Sequence, residues 1–129
     1  MTKAKVLAFL LCESATKDRD DKVTLHRLFD RIIIPKARQN DRLFFVYYKI
    51  VVAGDCTVSL RVTHASGQEI SGNWRDSFSH VGPVQSIWAL FSGLFEQPGY
   101  YLLELMQDLV DSEPVVLANM LFVVDQETT

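Results

Sequence analysis

Phe95-Glu96-Gln97-Pro98-Gly99-Tyr100-Tyr101-Leu102-Leu103-Glu104-Leu105 is the stretch whose reading decides the fold. It reads as the end of one β-strand, a tight turn, and a strand that opens on an aromatic pair. Pro98 presets its own φ, and Gly99 supplies the positive φ that a type II turn requires. The chain is therefore expected to reverse here. The turn is also expected to set the pairing of the last three strands.

Outward from that turn, β-branched and aromatic runs recur between turn signals, and helical periodicity is nearly absent. Strands are expected at residues 4–12, 22–34, 43–53, 56–64, 68–75, 85–95, 100–107 and 115–124. The pattern predicts one all-β domain over residues 1–129, a two-layer antiparallel β-sandwich of about eight strands, immunoglobulin-like or C2-like. The fourth strand alternates cleanly, with Cys56, Val58, Leu60 and Val62 inward and Thr57, Ser59, Arg61 and Thr63 outward. In the second strand Val23 and Leu25 share a phase that Leu28 leaves, which signals a bulge near His26-Arg27 or a break into two short strands.

Three strands do not alternate. The third offers Phe44, Val46, Tyr48 and Ile50 on one face and Phe45, Tyr47 and Val51 on the other. The sixth, with Trp88, and the seventh, with Tyr100, Leu102 and Met106 opposite Tyr101, Leu103 and Leu105, repeat this. An antiparallel sheet with one wet face should not look so. If the three share a sheet, Phe45, Tyr47, Val51, Trp88, Tyr100, Leu102 and Met106 form an apolar outer face suited to self-association or to a protein partner.

Alternating strands also sort the loops by end. Asp18, Asp20 and Asp21 of the first loop are expected beside Asp108 and Asp111 of the seventh. Acidic loops at one end of a sandwich are how C2-type domains hold calcium, since hard cations take several carboxylate oxygens. The competing reading is that aspartate is common in turns for backbone reasons. A ligand-binding sandwich with a calcium site is thus the alternative to the interaction module.

Composition narrows the classes further. A net charge of −3 without a basic stripe argues against nucleic acid, and no apolar run reaches the length of a membrane span. Lys3 and Lys5 ahead of the apolar run 6–12 suggest a signal peptide, but no small-residue cleavage site follows and Glu13 opens a charged segment. Cys12 and Cys56, two cysteines in all, fit free thiols and a cytoplasmic protein. Together with His80 they lack the short ligand spacing of a zinc site. Asp76, Ser77 and His80 supply triad-type residues, yet within one expected loop, so no enzyme and no cofactor is expected. Trp74 and Trp88 could stack a sugar, without the polar groups that usually accompany such a platform.

Three segments in order resemble a family of small bacterial β-sandwich proteins of unknown function. They are Leu11-Cys12-Glu13-Ser14-Ala15, Lys22-Val23-Thr24-Leu25-His26-Arg27-Leu28-Phe29-Asp30-Arg31-Ile32, and Phe95-Glu96-Gln97-Pro98-Gly99-Tyr100-Tyr101. The family usually carries a glycine where this chain has Arg27, and Asp-Gly where it has Asp111-Ser112. The resemblance implies an immunoglobulin-like or C2-like sandwich and no known activity, so it assigns no functional residue.

Overall fold

The structure, a computed structural model, describes residues 3–20, 22–34, 41–52, 56–78, 84–95, 97–109 and 112–126. Among them the strands are β1 (Lys5–Lys17), β2 (Val23–Leu28), β3 (Arg31–Ile34), β4 (Asp41–Val51), β5 (Cys56–His64), β6 (Glu69–Phe78), β7 (Val84–Leu94), β8 (Gly99–Gln107) and β9 (Val115–Gln126). They build a four-stranded sheet in the order β2-β1-β4-β7 and a five-stranded sheet in the order β3-β9-β8-β5-β6. Pairing is antiparallel throughout, except that β3 runs parallel to β9. The expected two-layer sandwich is the architecture.

The alternation read in β5 positions the core. Cys56, Val58, Leu60 and Val62 are buried, whereas Thr57, Ser59, Arg61 and Thr63 are partly exposed. Opposite them, Val46, Tyr48 and Ile50 of β4 are fully buried, as are Leu103 and Leu105 of β8. Each such side chain contributes roughly 1.5–3 kcal/mol when taken out of water.

The expected second strand is two strands in different sheets. The crossing takes two residues: Phe29 N–H donates to Leu11 C=O (3.3 Å) in the first sheet, and Asp30 C=O accepts from Val123 N–H (2.8 Å) in the second. Leu28 leaves the phase because it closes β2 at the surface, 59% exposed. Arg27, just before it, has φ +56°, the left-handed region that disfavours side chains with a Cβ. That is the backbone a glycine accommodates.

The extra strand reverses the direction of everything that follows it. The loop after β1 and the loop after β8 therefore sit at opposite ends. Ala4 N–H donates to Gln107 Oε1 (2.7 Å), which fixes the end of β8 beside the beginning of β1.

The Pro98-Gly99 turn also differs from expectation. It carries the chain from the four-stranded to the five-stranded sheet, so β7 and β8 are not paired. Gly99 does have positive φ, +128°, and a Cβ there would lie 3.0 Å from His64 Nε2. The Tyr101 hydroxyl donates back to Gln97 C=O, four residues upstream, in the manner of the tyrosine corner of Greek-key sandwiches. Phe95, Tyr101 and Phe122 pack ring against ring beneath it, with centroids 5.2–5.8 Å apart.

Candidate interaction surface

The seven residues expected on one face are divided between the two sheets. Phe45, Tyr47 and Val51 of β4 alternate with the buried Val46, Tyr48 and Ile50, and lie half-buried on the outside of the four-stranded sheet. Trp88 of β7 is the register partner of Tyr47 in the same sheet. Tyr100, Leu102 and Met106 are on β8, in the other sheet, where they alternate with buried Tyr101, Leu103 and Leu105. The single patch does not form, because the turn before β8 changes sheets instead of making a hairpin.

On the four-stranded sheet Phe45, Tyr47 and Val51 are half-buried, while Leu7 is 50% and Leu28 59% exposed. Cys12 lies between register partners Leu28 and Phe45 and has 0% exposure, its thiol 3.8 Å from Phe45 C=O. The five-stranded sheet carries the other exposed large apolar side chains among the described residues. Tyr100 and Leu121 are each 60% exposed and Ile33 is 55% exposed. Tyr100 pairs in register with Val123 and Leu102 with Leu121, while Ile33 stands beside Asp125. Tyr100, Leu102, Leu121 and Val123 thus form an apolar strip on the adjacent strands β8 and β9, with Ile33 of β3 set beyond the Arg31–Asp125 pair. The β9 members and Ile33 are not expected from the sequence reading, although Ile32-Ile33-Ile34 and Met120-Leu121-Phe122 are runs with no polar alternate.

The charges beside this strip are closed on themselves. Arg61, opposite Glu104 in register, places Nε at 2.9 Å and Nη2 at 2.8 Å from the same Oε1, and Glu104 is only 8% exposed. Arg31 meets Asp125 at 3.0 Å on the other flank. The face is apolar in its middle and neutral at its edges.

Among the described residues, the candidate calcium ligands Asp18 and Asp108 do not gather. Asp18 begins where β1 ends, and Asp108 follows Gln107 at the start of β1. The 13 residues of β1 separate them, roughly 40 Å at about 3.3 Å per residue. Asp18 Oδ1 instead accepts from the N–H groups of Asp20 (2.8 Å) and Lys22 (3.0 Å), the work of a turn-forming aspartate. Asp21 and Asp111 lie outside the described residues. Among the described residues, no group of three or more His, Cys, Asp or Glu could hold a metal ion.

Cys12 and Cys56 are free and buried, and burial raises both thiols above their ordinary pKa. Asp76 and Ser77 prove to be strand residues of β6, not loop residues, and His80 lies outside the described residues. Trp74, expected inward, registers with the core residue Leu60.

A different Ser–His contact does form. Ser66 Oγ is 2.8 Å from His64 Nδ1, and His64 Nε2 is 3.0 Å from Pro98 C=O. Ser66 N–H also donates to Nδ1 (3.0 Å), so Nδ1 is the acceptor and Nε2–H the donor. The neighbouring N–H groups of His64, Ala65 and Gly67 are bonded to Gln68, Tyr100 and His64 carbonyls. With those donors engaged, the loop offers no oxyanion site, and the cluster acts as a clasp between the β5–β6 turn and the start of β8.

Comparison with protein-family models and with curated proteins returned no match. Among the described residues, no helix is long and apolar enough to cross a membrane.

Proposed function

We propose that this chain is a non-catalytic β-sandwich interaction module that self-associates through the outer face of its five-stranded sheet. The observation that carries the reading is the open strip of Tyr100 and Leu121 on the neighbouring strands β8 and β9, with Ile33 exposed on β3 beyond the Arg31–Asp125 pair. An exposed apolar patch of this kind marks contact surfaces on soluble domains. A twofold interface must be self-complementary. The internally paired Arg61–Glu104 and Arg31–Asp125 serve that need, since a second copy meets no uncompensated charge.

Size sets the strength. Three strands about 4.8 Å apart and at most about eight residues long cover no more than roughly 400 Å² in projection. That is smaller than the roughly 800 Å² per partner of a standard interface. The dimer is therefore weak and concentration-dependent. Two buried free thiols suit the reducing cytoplasm, where we place the protein. The interaction reading is preferred to the calcium one, since Asp18 and Asp108 lie at opposite ends.

Amide chemical shifts followed on dilution test the surface. Concentration-dependent shifts at Tyr100, Leu102 and Leu121 support it. Shifts confined to Phe45 and Tyr47 would move the contact to the other sheet, and none anywhere would remove self-association.

A further inference from the structure

The β5–β6 turn and the opening of β8 are held together by one imidazole. His64 ends β5 in the same phase as the buried Cys56, Val58, Leu60 and Val62, and its register partner on β8 is Tyr101. The two rings meet edge-on with centroids 4.8 Å apart. Both imidazole nitrogens are taken by main-chain groups of fixed character. Ser66 N–H, which can only donate, lies 3.0 Å from Nδ1, and Pro98 C=O, which can only accept, lies 3.0 Å from Nε2. The ring in this arrangement is therefore neutral, with its one proton on Nε2.

Ser66 Oγ, 2.8 Å from Nδ1, is the partner that can reverse, since a hydroxyl either donates or accepts. A proton taken from solvent onto Nδ1 turns that nitrogen into a donor. The hydroxyl accepts it, but Ser66 N–H then faces another N–H and loses its acceptor. Little around the ring compensates a positive charge. The turn Ala65-Ser66-Gly67-Gln68 is uncharged, as are Pro98, Gly99 and Phe122. The Tyr101 hydroxyl is committed to Gln97 C=O, and Tyr100 is exposed on the outer face. On β6, Glu69 is exposed and registers with Thr63, one residue away. On β5, Arg61 is paired with Glu104, and Glu96 lies outside the described residues.

We propose that His64 is a pH-sensitive latch at the leading end of the self-association strip: protonation of Nδ1 evicts Ser66 N–H, and the turn lets go of β8. Imidazole is the side chain that changes charge between about pH 5 and 8. The latched turn excludes a proton that the unfolded chain takes up, so the latch weakens as pH falls. Its reach to the strip is short. Ala65 N–H donates to Tyr100 C=O at 2.9 Å, and Tyr100 is the exposed aromatic of the strip. Acid thus loosens the backbone that presents Tyr100 and sets like charges near a twofold contact. The effect on association rests on the self-association reading above, whereas the latch itself does not.

NMR of the dilute chain from about pH 7.5 to about 5.5, with sedimentation velocity at both ends of that interval, tests the assignment. The His64 ring nitrogens are expected to leave the Nε2–H tautomer pattern. The Ser66 and Ala65 amides should move at the same midpoint, and Ala65 should lose its protection from hydrogen exchange. The dimer should weaken several-fold in the unaltered chain and not in His64→Gln, whose side-chain amide keeps a donor for Pro98 C=O and has nothing to titrate. A ring that stays neutral throughout, or amides that stay put while it titrates, would overturn the latch. Release of the turn with an unchanged dimer would overturn its regulatory reach. A pH dependence that survives in His64→Gln would assign the effect to another group, such as His26 on the four-stranded sheet, and overturn it too. A chain monomeric at both pH values would instead remove self-association, and the amides of the dilute chain alone would then decide the latch.

Discussion

The backbone N–H of Ala4 donates to the side-chain Oε1 of Gln107 across 103 residues of sequence, in a buried bond of 2.7 Å. It joins the entry of the first strand to the exit of the eighth, and so one sheet to the other. Gln107 is 1% exposed, so a substitution that removes its oxygen leaves a buried donor unsatisfied. Gln107→Leu is expected to cost about 1–3 kcal/mol in chemical denaturation. An unchanged midpoint would mean that the bond adds nothing to holding the sheets in register.

The turn before β8 has two separable supports. Tyr101→Phe removes only the hydroxyl that donates to Gln97 C=O and should cost about 1 kcal/mol. Gly99→Ala places a Cβ at φ +128° and 3.0 Å from His64 Nε2, so it strains the backbone and displaces the histidine from Pro98. Its cost should be larger, of order 1–3 kcal/mol. Thermal or urea unfolding of the two variants checks the order, and a more stable Gly99→Ala would contradict the turn geometry.

Arg27 sits at φ +56° on an edge strand, where it makes an exposed ion pair to Glu13 at 3.6 Å. A left-handed backbone costs a residue with a Cβ about 1–2 kcal/mol, partly offset by the greater unfolded-state freedom of glycine. Arg27→Gly is therefore expected to stabilise by up to about 1 kcal/mol, and Arg27→Val to destabilise. Equal midpoints for all three chains would show that the strain is relieved elsewhere.

How far these features could be read beforehand follows from where the signals are local. The β5 alternation of Cys56, Val58, Leu60 and Val62 is a property of four adjacent side chains, and it located the core directly. The phase slip at Leu28 was visible too. Its consequence was not, because whether β2 and β3 share a sheet depends on partners nearly a hundred residues away, at Val123 and Val124. That one break reverses every later strand and separates Asp18 from Asp108. Pro98-Gly99 looks the same in sequence whether it closes a hairpin or changes sheets, and the decision rests on the Tyr101 hydroxyl and the His64 clasp. The apolar excess of β8 is expected on an outer face; Tyr100 is exposed there and Leu102 and Met106 are half-buried, but the apolar neighbours come from β9 instead of β4 and β7.

The two thiols give the stability a pH dependence of known sign. Burial raises both above the unfolded chain, whose cysteines ionise near about 8.5. As pH rises through that value the unfolded state loses its protons first and binds fewer than the folded state, so stability falls. It is complete below about pH 8. Urea midpoints between about pH 7.5 and 9.5 should decline, and Cys12→Ala with Cys56→Ala should flatten the slope. A rise over the same interval would contradict the burial of the thiols.

Sedimentation velocity across a wide concentration series, on the unaltered chain and on Leu121→Glu, tests the self-association face most directly. The account predicts that the unaltered chain moves from monomer towards dimer as concentration rises, and that a glutamate in the middle of the strip holds the variant monomeric with an unchanged unfolding midpoint. A chain that stays monomeric throughout, or a variant that dimerises as well as its parent, would contradict it.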